Sequence, residues 1–293
     1  MPSTRDIRRR IKSVKNTAQI TKAMQMVAAS KMRKAQQSAL AGRPYANLMN
    51  SVLGQVGFDA GDFRHPLMEK RDGNRRALIL VSTDKGLCGG LNSNLMREVA
   101  KYPRDNTIFI TAGRKGSQFI VRTKRKLEAE FTYKDAPLFS EARAISRFAR
   151  DLFLKGEVDQ VDILFTNFVS TLVQKPETRT LLPIGEIKPV SAGVHGETSM
   201  AEASTTTPTE FIFEPNIEEV LGSLLPHYLN FQVYQILLEA KASEHSARMV
   251  AMKNATDNAK EIIKDLTLEY NKLRQSNITR ELLEITSAAM AMG

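Results

Sequence analysis

Gly86, Gly89 and Gly90 stand in the stretch STDKGLCGGLNSN, Ser82 to Asn94, directly after the apolar run Ala77 to Val81. Glycines let backbone N–H groups converge on an anion, and a following helix N-terminus adds a favourable field, so phosphate binding is the first chemistry to test. A Walker loop, G-x-x-x-x-G-K-[ST], ends in a lysine for the terminal phosphates and a hydroxyl for magnesium. Here Gly89 and Gly90 run into Leu91 and Asn92, and Lys85 precedes them. The dinucleotide spacing G-x-G-x-x-G is also absent. The local reading is a glycine turn joining a buried strand to a helix, with no nucleotide bound.

Other chemistry is equally sparse. His65, His195, His227 and His245 show no metal-ligand spacing to one another or to Cys88, and H-E-x-x-H does not occur. SEHS, Ser243 to Ser246, reads as a polar helix face. Cys88 lies near a helix N-terminus, a place that lowers a thiol pKa, but it has no evident histidine partner and reads as structural. As the one cysteine it forms no internal disulfide, which fits a reducing compartment. Met24, Met26, Met32, Met249 and Met252 suit helix packing better than metal binding. No catalytic, cofactor or metal residue is expected.

The elements that hold these residues fall into three parts. Apolar residues Ile7, Ile11, Val14 and Ala18, then Ile20, Met24 and Val27, recur at helical spacing from Thr4 to about Gly57, with Ser3 or Thr4 as cap and Asp6 in the first turn. A second helical pattern runs from about Glu218 to Met292, where Pro226 either kinks the segment or opens the main helix. Such long helices need a partner for their apolar faces, so the two ends are expected to pair as an antiparallel coiled coil with an Ala-, Thr- and Met-rich seam. Leu283, Ile285, Met290 and Met292 give the chain an apolar tip.

Between the ends, apolar runs at 77–81, 107–112 and 161–169 alternate with helical stretches at 91–102, 114–124 and 138–155, which predicts an α/β unit with a mainly parallel sheet. Leu181 to Ile187 and Glu210 to Phe213 are candidate further strands, and Ser191 to Thr209 reads as a flexible loop. The division expected is 1–57, 75–214 and 216–293. No apolar stretch approaches the roughly 20 residues that span a bilayer, and no signal-peptide core is evident.

Charge is concentrated at one end. Of the 42 Lys and Arg, eleven lie in residues 1–50 beside one acid, Asp6, so the other 31 bases face 31 acids. Such an arm suits nucleic acid, an anionic membrane surface, an acidic protein partner or simply a solvated helix face. A nucleic-acid reading lacks a stacking platform, because there is no tryptophan and the arm has only Tyr45. A nucleotide-dependent enzyme would need phosphate at Lys85 to Asn92.

IRRRIKSVKNTAQITKAMQMVAASKMRKAQ, Ile7 to Gln36, resembles the N-terminal helix of the gamma subunit of F-type ATP synthase. ASEHSARMVAMKNATDNAKEIIKDLTLEYNKLRQSNITRELLEI, Ala242 to Ile285, resembles its C-terminal helix, and DKGLCGGLN its central-domain motif. The terminal signature departs at Ala288, where the family usually has glycine; alanine favours helix by about 1 kcal/mol. The resemblance implies an antiparallel coiled coil plus a Rossmann-like domain that binds no nucleotide, in a non-catalytic rotor. That rotor turns inside the ring of alpha and beta subunits and couples proton flow to ATP synthesis or hydrolysis.

It also implies contacts. Met24, Lys31, Arg33, Lys34, Lys85, Cys88 and Arg248 would meet the acidic lever of beta, and Arg274, Gln275 and Thr279 its catch loop. Leu283, Ile285, Met290 and Met292 would enter the apolar bearing. Phe211, Phe213 and Glu214, in EFIFEP, would meet the epsilon subunit and the membrane ring. The family motif begins almost at Met1, which leads to an expectation of a bacterial protein on the cytoplasmic face of the plasma membrane. The lack of a cysteine-pair insertion argues against thiol regulation.

Overall fold

Residues 76–81, 107–112 and 160–168 are buried almost without interruption, which marks strands covered on both faces. The computed structural model describes residues 3–42, 44–46, 48–49, 52–53, 65–185 and 217–292. They divide into two compact units, Met1–Val27 with Met249–Gly293, and Ala28–Arg248.

The larger unit holds one five-stranded sheet. Strands β1 (Arg76–Val81), β2 (Thr107–Ala112), β3 (Leu127–Phe131), β4 (Gln160–Phe168) and β5 (Gln174–Leu182) lie in the order β3-β2-β1-β4-β5. All neighbours are parallel except β5, which runs antiparallel to β4. Alternate residues of β1 feed two cores. Ala77, Ile79 and Val81 face α4 (Phe139–Leu154) and the stretch 221–240 of the C-terminal helix. Leu78 and Leu80 face α2 (Leu91–Ala100) and α3 (Arg114–Arg122), where Leu95, Val99 and Ile120 are buried. These are the α/β unit and helices that the alternating pattern predicted.

The smaller unit pairs the start of α1 (Thr4–Ala41) with the end of α5 (Ile217–Met292). Arg8 donates to the Tyr270 hydroxyl with its guanidinium 5.3 Å from the ring centroid, and the Thr21 and Thr256 hydroxyls are 2.7 Å apart. Sequence number rises along one helix as it falls along the other, so the pair is antiparallel. Ser3 caps α1: its Oγ accepts from the Asp6 amide, and its Oγ and backbone N–H both donate to Asp6 Oδ2, which holds the Asp6 carboxyl below its usual range. Ile7, Met252, Ala259 and Leu266 are buried, whereas every residue from Arg274 to Met290 is exposed.

Several expectations are corrected. The first helix is not continuous to Gly57 but ends at Ala41. Gly42 follows as a turn, where a Cβ would come within 2.1 Å of the Gln235 amide, and Pro44 disfavours a helical residue before it. Of the two readings of Pro226, that it opens the last helix is excluded, because α5 starts at Ile217 and runs through it. The strand expected at 181–187 begins earlier, at Gln174, and β3 was not foreseen. Both are edge strands that alternate exposed polar with partly buried residues, so neither carries an apolar run. Glu210 to Phe213 and Ser191 to Thr209 lie outside the described residues.

Phe165, fully buried between β4 and the first core, is a sensitive probe of this sheet. Phe165→Ala is expected to cost about 3–5 kcal/mol, measured by urea unfolding followed by circular dichroism.

Candidate functional site

β1 and β4 are neighbours, but the chain builds β2 and β3 on the far side of β1 before it reaches β4. The crevice outside the carboxyl ends of such a pair is where open α/β sheets bind ligands. Here this chain fills it with its own groups. The first-turn amides of α3 are taken: Arg114 N–H by Asp84 Oδ1 at 3.0 Å, Lys115 N–H by the Thr83 carbonyl at 3.0 Å, and Gly116 N–H by Ser82 Oγ at 2.7 Å. Tyr133, just beyond β3, is buried and donates to the Ser82 carbonyl at 3.1 Å. Burial and surrounding carboxylates push its phenol well above the usual range.

The segment Lys241–Arg248 of α5 closes the crevice. Ser243 Oγ donates to the Thr166 carbonyl of β4 at 2.9 Å, and Ser246 Oγ to the Thr171 carbonyl at 2.8 Å. Arg248 donates through Nη2 to the Lys85 and Gly86 carbonyls, both at 3.3 Å. Glu244 carries the charge balance: Oε2 accepts from Lys241 Nζ at 3.0 Å and Oε1 from Arg248 Nη2 at 2.8 Å. Lys241 Nζ also sits 4.4 Å from the Tyr133 ring centroid and 3.9 Å from Asp135, itself paired with Lys31. The Lys31 hydrogen bond holds the Asp135 carboxyl below its usual range.

This overturns the polar-face reading of SEHS. Glu244 is 3% and His245 2% exposed, and Ser243 and Ser246 are wholly buried. Their positions on α5 are lined by protein, so Ser243, Glu244 and Ser246 have been given carbonyl, ammonium or guanidinium partners in place of water. His245 Nδ1 lies 3.4 Å from Arg248 Nη1, and since arginine only donates, the ring accepts there and is neutral. Its Nε2 has no hydrogen-bond partner among the described residues.

The glycine loop is fixed by the same groups. Thr83 Oγ1 donates to the Lys85 carbonyl at 2.8 Å, and Asn92 Nδ2 donates to Thr83 Oγ1 at 2.7 Å and to Cys88 Sγ at 3.3 Å. Cys88 is buried in the second core, and burial pushes its thiol pKa up while Arg248 offsets part of the shift. The side chain expected to touch a partner therefore points inward, and the lowering expected from a helix N-terminus loses to desolvation. Carbonyl oxygens at 85 and 86 attract a guanidinium and repel a phosphate, so the arrangement grips a helix.

The residues named from sequence are thus partly brought together. Lys31, Lys85, Cys88 and Arg248 converge on this crevice, whereas Arg33 and Lys34 are exposed nearby in sequence on α1. Met24, partly buried, and Arg274, Gln275, Thr279, Leu283, Ile285 and Met290, all exposed, belong to the smaller unit, where Thr279 Oγ1 donates to the Gln275 carbonyl at 3.0 Å. Met292 ends α5, and Phe211, Phe213 and Glu214 lie outside the described residues. Sequence reasoning missed Lys241, Glu244, Tyr133 and Asp135. The available signal was the spacing of Lys241, Glu244 and Arg248 on one helix face.

A family model described as ATP synthase matches residues 3–292. The ATP synthase gamma chain of Opitutus terrae is 50% identical over 99% of both chains, and that of Methylacidiphilum infernorum is 47% identical over 100% of both. Among solved structures, the chain is similar to one of the Tetrahymena thermophila mitochondrial ATP synthase central stalk and c-ring, with TM-score 0.61 and 27% identity over 80% of this chain and 99% of that one. A chain of the Euglena gracilis mitochondrial enzyme, TM-score 0.68 at 19% identity over 99% and 94%, shares the fold.

Two outcomes test the crevice. Glu244→Gln leaves buried Lys241 with only Asp135, 3.9 Å away, as counter-charge and takes from partly buried Arg248 its carboxylate partner, and is expected to cost about 3–5 kcal/mol in urea unfolding. The second concerns His245, whose pKa falls from 6.5 to about 4, chiefly through burial, with Arg248 and Lys241 opposing the proton and Glu244 and Asp135 favouring it. As pH falls, the unfolded chain takes the proton first. The stability carried by neutral His245 is therefore whole above pH 6.5 and lost between pH 6.5 and about 4, in all about 3 kcal/mol. Unfolding titrated across that window should show the slope, and His245→Gln should flatten it.

Proposed function

We infer what this chain does from the premise that it belongs to the ATP synthase gamma chain family. It is the central-stalk rotor subunit of F-type ATP synthase, a non-catalytic part of that enzyme. It turns inside the alpha/beta ring, with the epsilon subunit and the membrane c-ring as its other partners. Rotation couples proton flow through the membrane ring to ATP synthesis or hydrolysis at the beta subunits. The observation that carries this reading, beyond kinship, is α5 itself. One unbroken helix of 76 residues ends in a bare stretch from Arg274 to Met290 on which Leu283, Ile285 and Met290 are exposed, Met290 at 86%. Apolar side chains in such a run call for an outside surface that tolerates sliding, because they have shape but no directional bonds.

Individual contacts follow the same logic. Met24, Lys31, Arg33, Lys34, Lys85 and Arg248 are assigned to the lever of beta, and Arg274, Gln275 and Thr279 to its catch loop. The tip from Leu283 to Met292 is assigned to the bearing, and Phe211, Phe213 and Glu214 to epsilon and the c-ring. Exposed ion pairs, worth about 0–1 kcal/mol each, can form and break at every turn without stalling it. Lys31 and Arg248 already hold internal partners, so among the described residues Arg33, Lys34 and Lys85 are the members of that set without an ion pair. The shaft comprises residues 1–57 and 216–293, and the α/β domain 75–214. No helix among the described residues is long and apolar enough to cross a membrane. The chain is a peripheral part of the membrane complex, and we place it on the cytoplasmic face of a bacterial plasma membrane.

Co-expression with alpha and beta subunits tests the role: one copy should co-purify per catalytic ring, and a chain that stays alone refutes it. In reconstituted vesicles, Arg33→Glu with Lys34→Glu should lower ATP-driven proton pumping relative to ATP hydrolysis. An unchanged ratio would remove these two side chains from the lever contact.

A further inference from the structure

The near balance of charge beyond residue 50 hides a second basic concentration. From Leu91 to Lys126 the chain carries nine Lys and Arg against two acids, Glu98 and Asp105. This segment is α2, β2 and α3, and the two helices cover the second core on the same face of the sheet. Glu98 is already taken by Lys101, at 2.7 Å. Beyond the last turn of α2, burial and the Arg104 charge hold the Arg125 guanidinium below its usual range, although it donates to the Tyr102 carbonyl at 2.9 Å. The field on this face is positive, and the protein supplies little to offset it.

Between α2 and α3 lies an open groove of about 630 Å³, within the size range of small-molecule sites. Its walls include Ser93, Met96 and Arg97 of α2 and Lys115, Phe119 and Arg122 of α3, and no carboxylate lines it. Arg97, Lys115 and Arg122 have no ion pair among the described residues. Arg122 sits 5.9 Å from the Phe119 ring centroid. Both helices follow strands of the parallel part of the sheet, so they run the same way. Ser93 and Lys115 therefore stand near the helix starts, Met96 and Phe119 midway, and Arg97 and Arg122 nearer the ends.

The order of these groups sets the chemistry of an occupant. Two guanidiniums across a groove match the oxygens of a phosphate, which they can grip in pairs. Met96 and Phe119, packed on the second core but only partly buried, add apolar contact that a bare inorganic ion would not use. The first-turn amides of α3 are already bonded, so side chains must hold the anion. We propose that the α2–α3 groove binds a phosphate ester, its phosphate between Arg97 and Arg122 and its apolar or planar body over Met96 and Phe119, with Lys115 adding charge at the other end. Soluble phosphate esters and the headgroups of anionic lipids share this chemistry. The site lies across the sheet from the stretch 221–240 of α5 and is independent of the rotor reading.

Calorimetric titration of the full chain with naphthyl phosphate tests it, with the Met96 methyl resonance followed in methyl-labelled protein. Binding should saturate with a dissociation constant of about 1 mM or below, and the Met96 signal should move with it. Arg97→Gln with Arg122→Gln should weaken binding about tenfold or more. Arg33→Gln with Lys34→Gln, which removes the same charge from α1, should leave it unchanged. Ser93→Trp should weaken it by bulk alone, with no change of charge. All these side chains are exposed, so the fold is kept. Co-sedimentation with phosphatidylglycerol vesicles separates the two sources: vesicle binding lost in the Arg97 and Arg122 double variant assigns a lipid headgroup, and vesicle binding indifferent to it, beside saturable naphthyl phosphate, assigns a soluble ester. No saturation by about 20 mM naphthyl phosphate together with vesicle binding indifferent to the double variant would overturn the site. Equal losses in the Arg33 and Lys34 control would overturn it too, since they would reduce the effect to net charge.

Discussion

The carboxylate of Glu244 is the interaction on which the larger unit depends. It is buried, and each of its two oxygens takes a different cation, Lys241 on one and Arg248 on the other. Without it neither cation could be kept at the carboxyl edge of the sheet, because an isolated buried charge costs several kcal/mol. With it, Lys241 lies on the Tyr133 ring and Arg248 reaches the glycine loop, so segments after β1, β3 and β4 are tied to about two turns of α5. A hydrophobic plug could seal the same crevice, but it would not fix the rotation of the helix about its own axis. Directed bonds to the Thr166, Thr171, Lys85 and Gly86 carbonyls do fix it.

That constraint suits a rotor. A helix that could slide or roll in its seat would absorb torque, whereas one bonded on several sides transmits it. α5 is continuous from Ile217 to Met292. At the carboxyl edge of the sheet the first-turn amides of α3 are bonded to Asp84, Thr83 and Ser82, and the crevice holds the chain's own charges, Lys241, Glu244 and Arg248.

Sequence determined much of this by itself. Helical periodicity from Thr4 to about Gly57 and from about Glu218 to Met292, the first overrunning a helix that ends at Ala41, and apolar runs at 77–81, 107–112 and 161–169 point to element types because each element must bury a face of matching period. The mismatched glycine spacing after Val81 was enough to argue against a phosphate cradle, and the motifs at both ends and in the middle were enough to suggest the family. The edge strands β3 and β5 were illegible, or displaced, because one-sided burial leaves only a weak alternation.

Tertiary structure alone decided which side chains face where. KASEHSAR looks like a solvated stripe, since charge in a sequence normally means water; only the meeting of α5 with residues some 75 to 160 positions away gives Glu244 and its neighbours partners that replace that water. Likewise the order L-C in GLCGG does not say which residue turns outward. The backbone reversal decides it, burying Cys88 and leaving Leu87 exposed, because the anchors that set φ at residue 87 come from Thr83, Asn92 and Arg248 together.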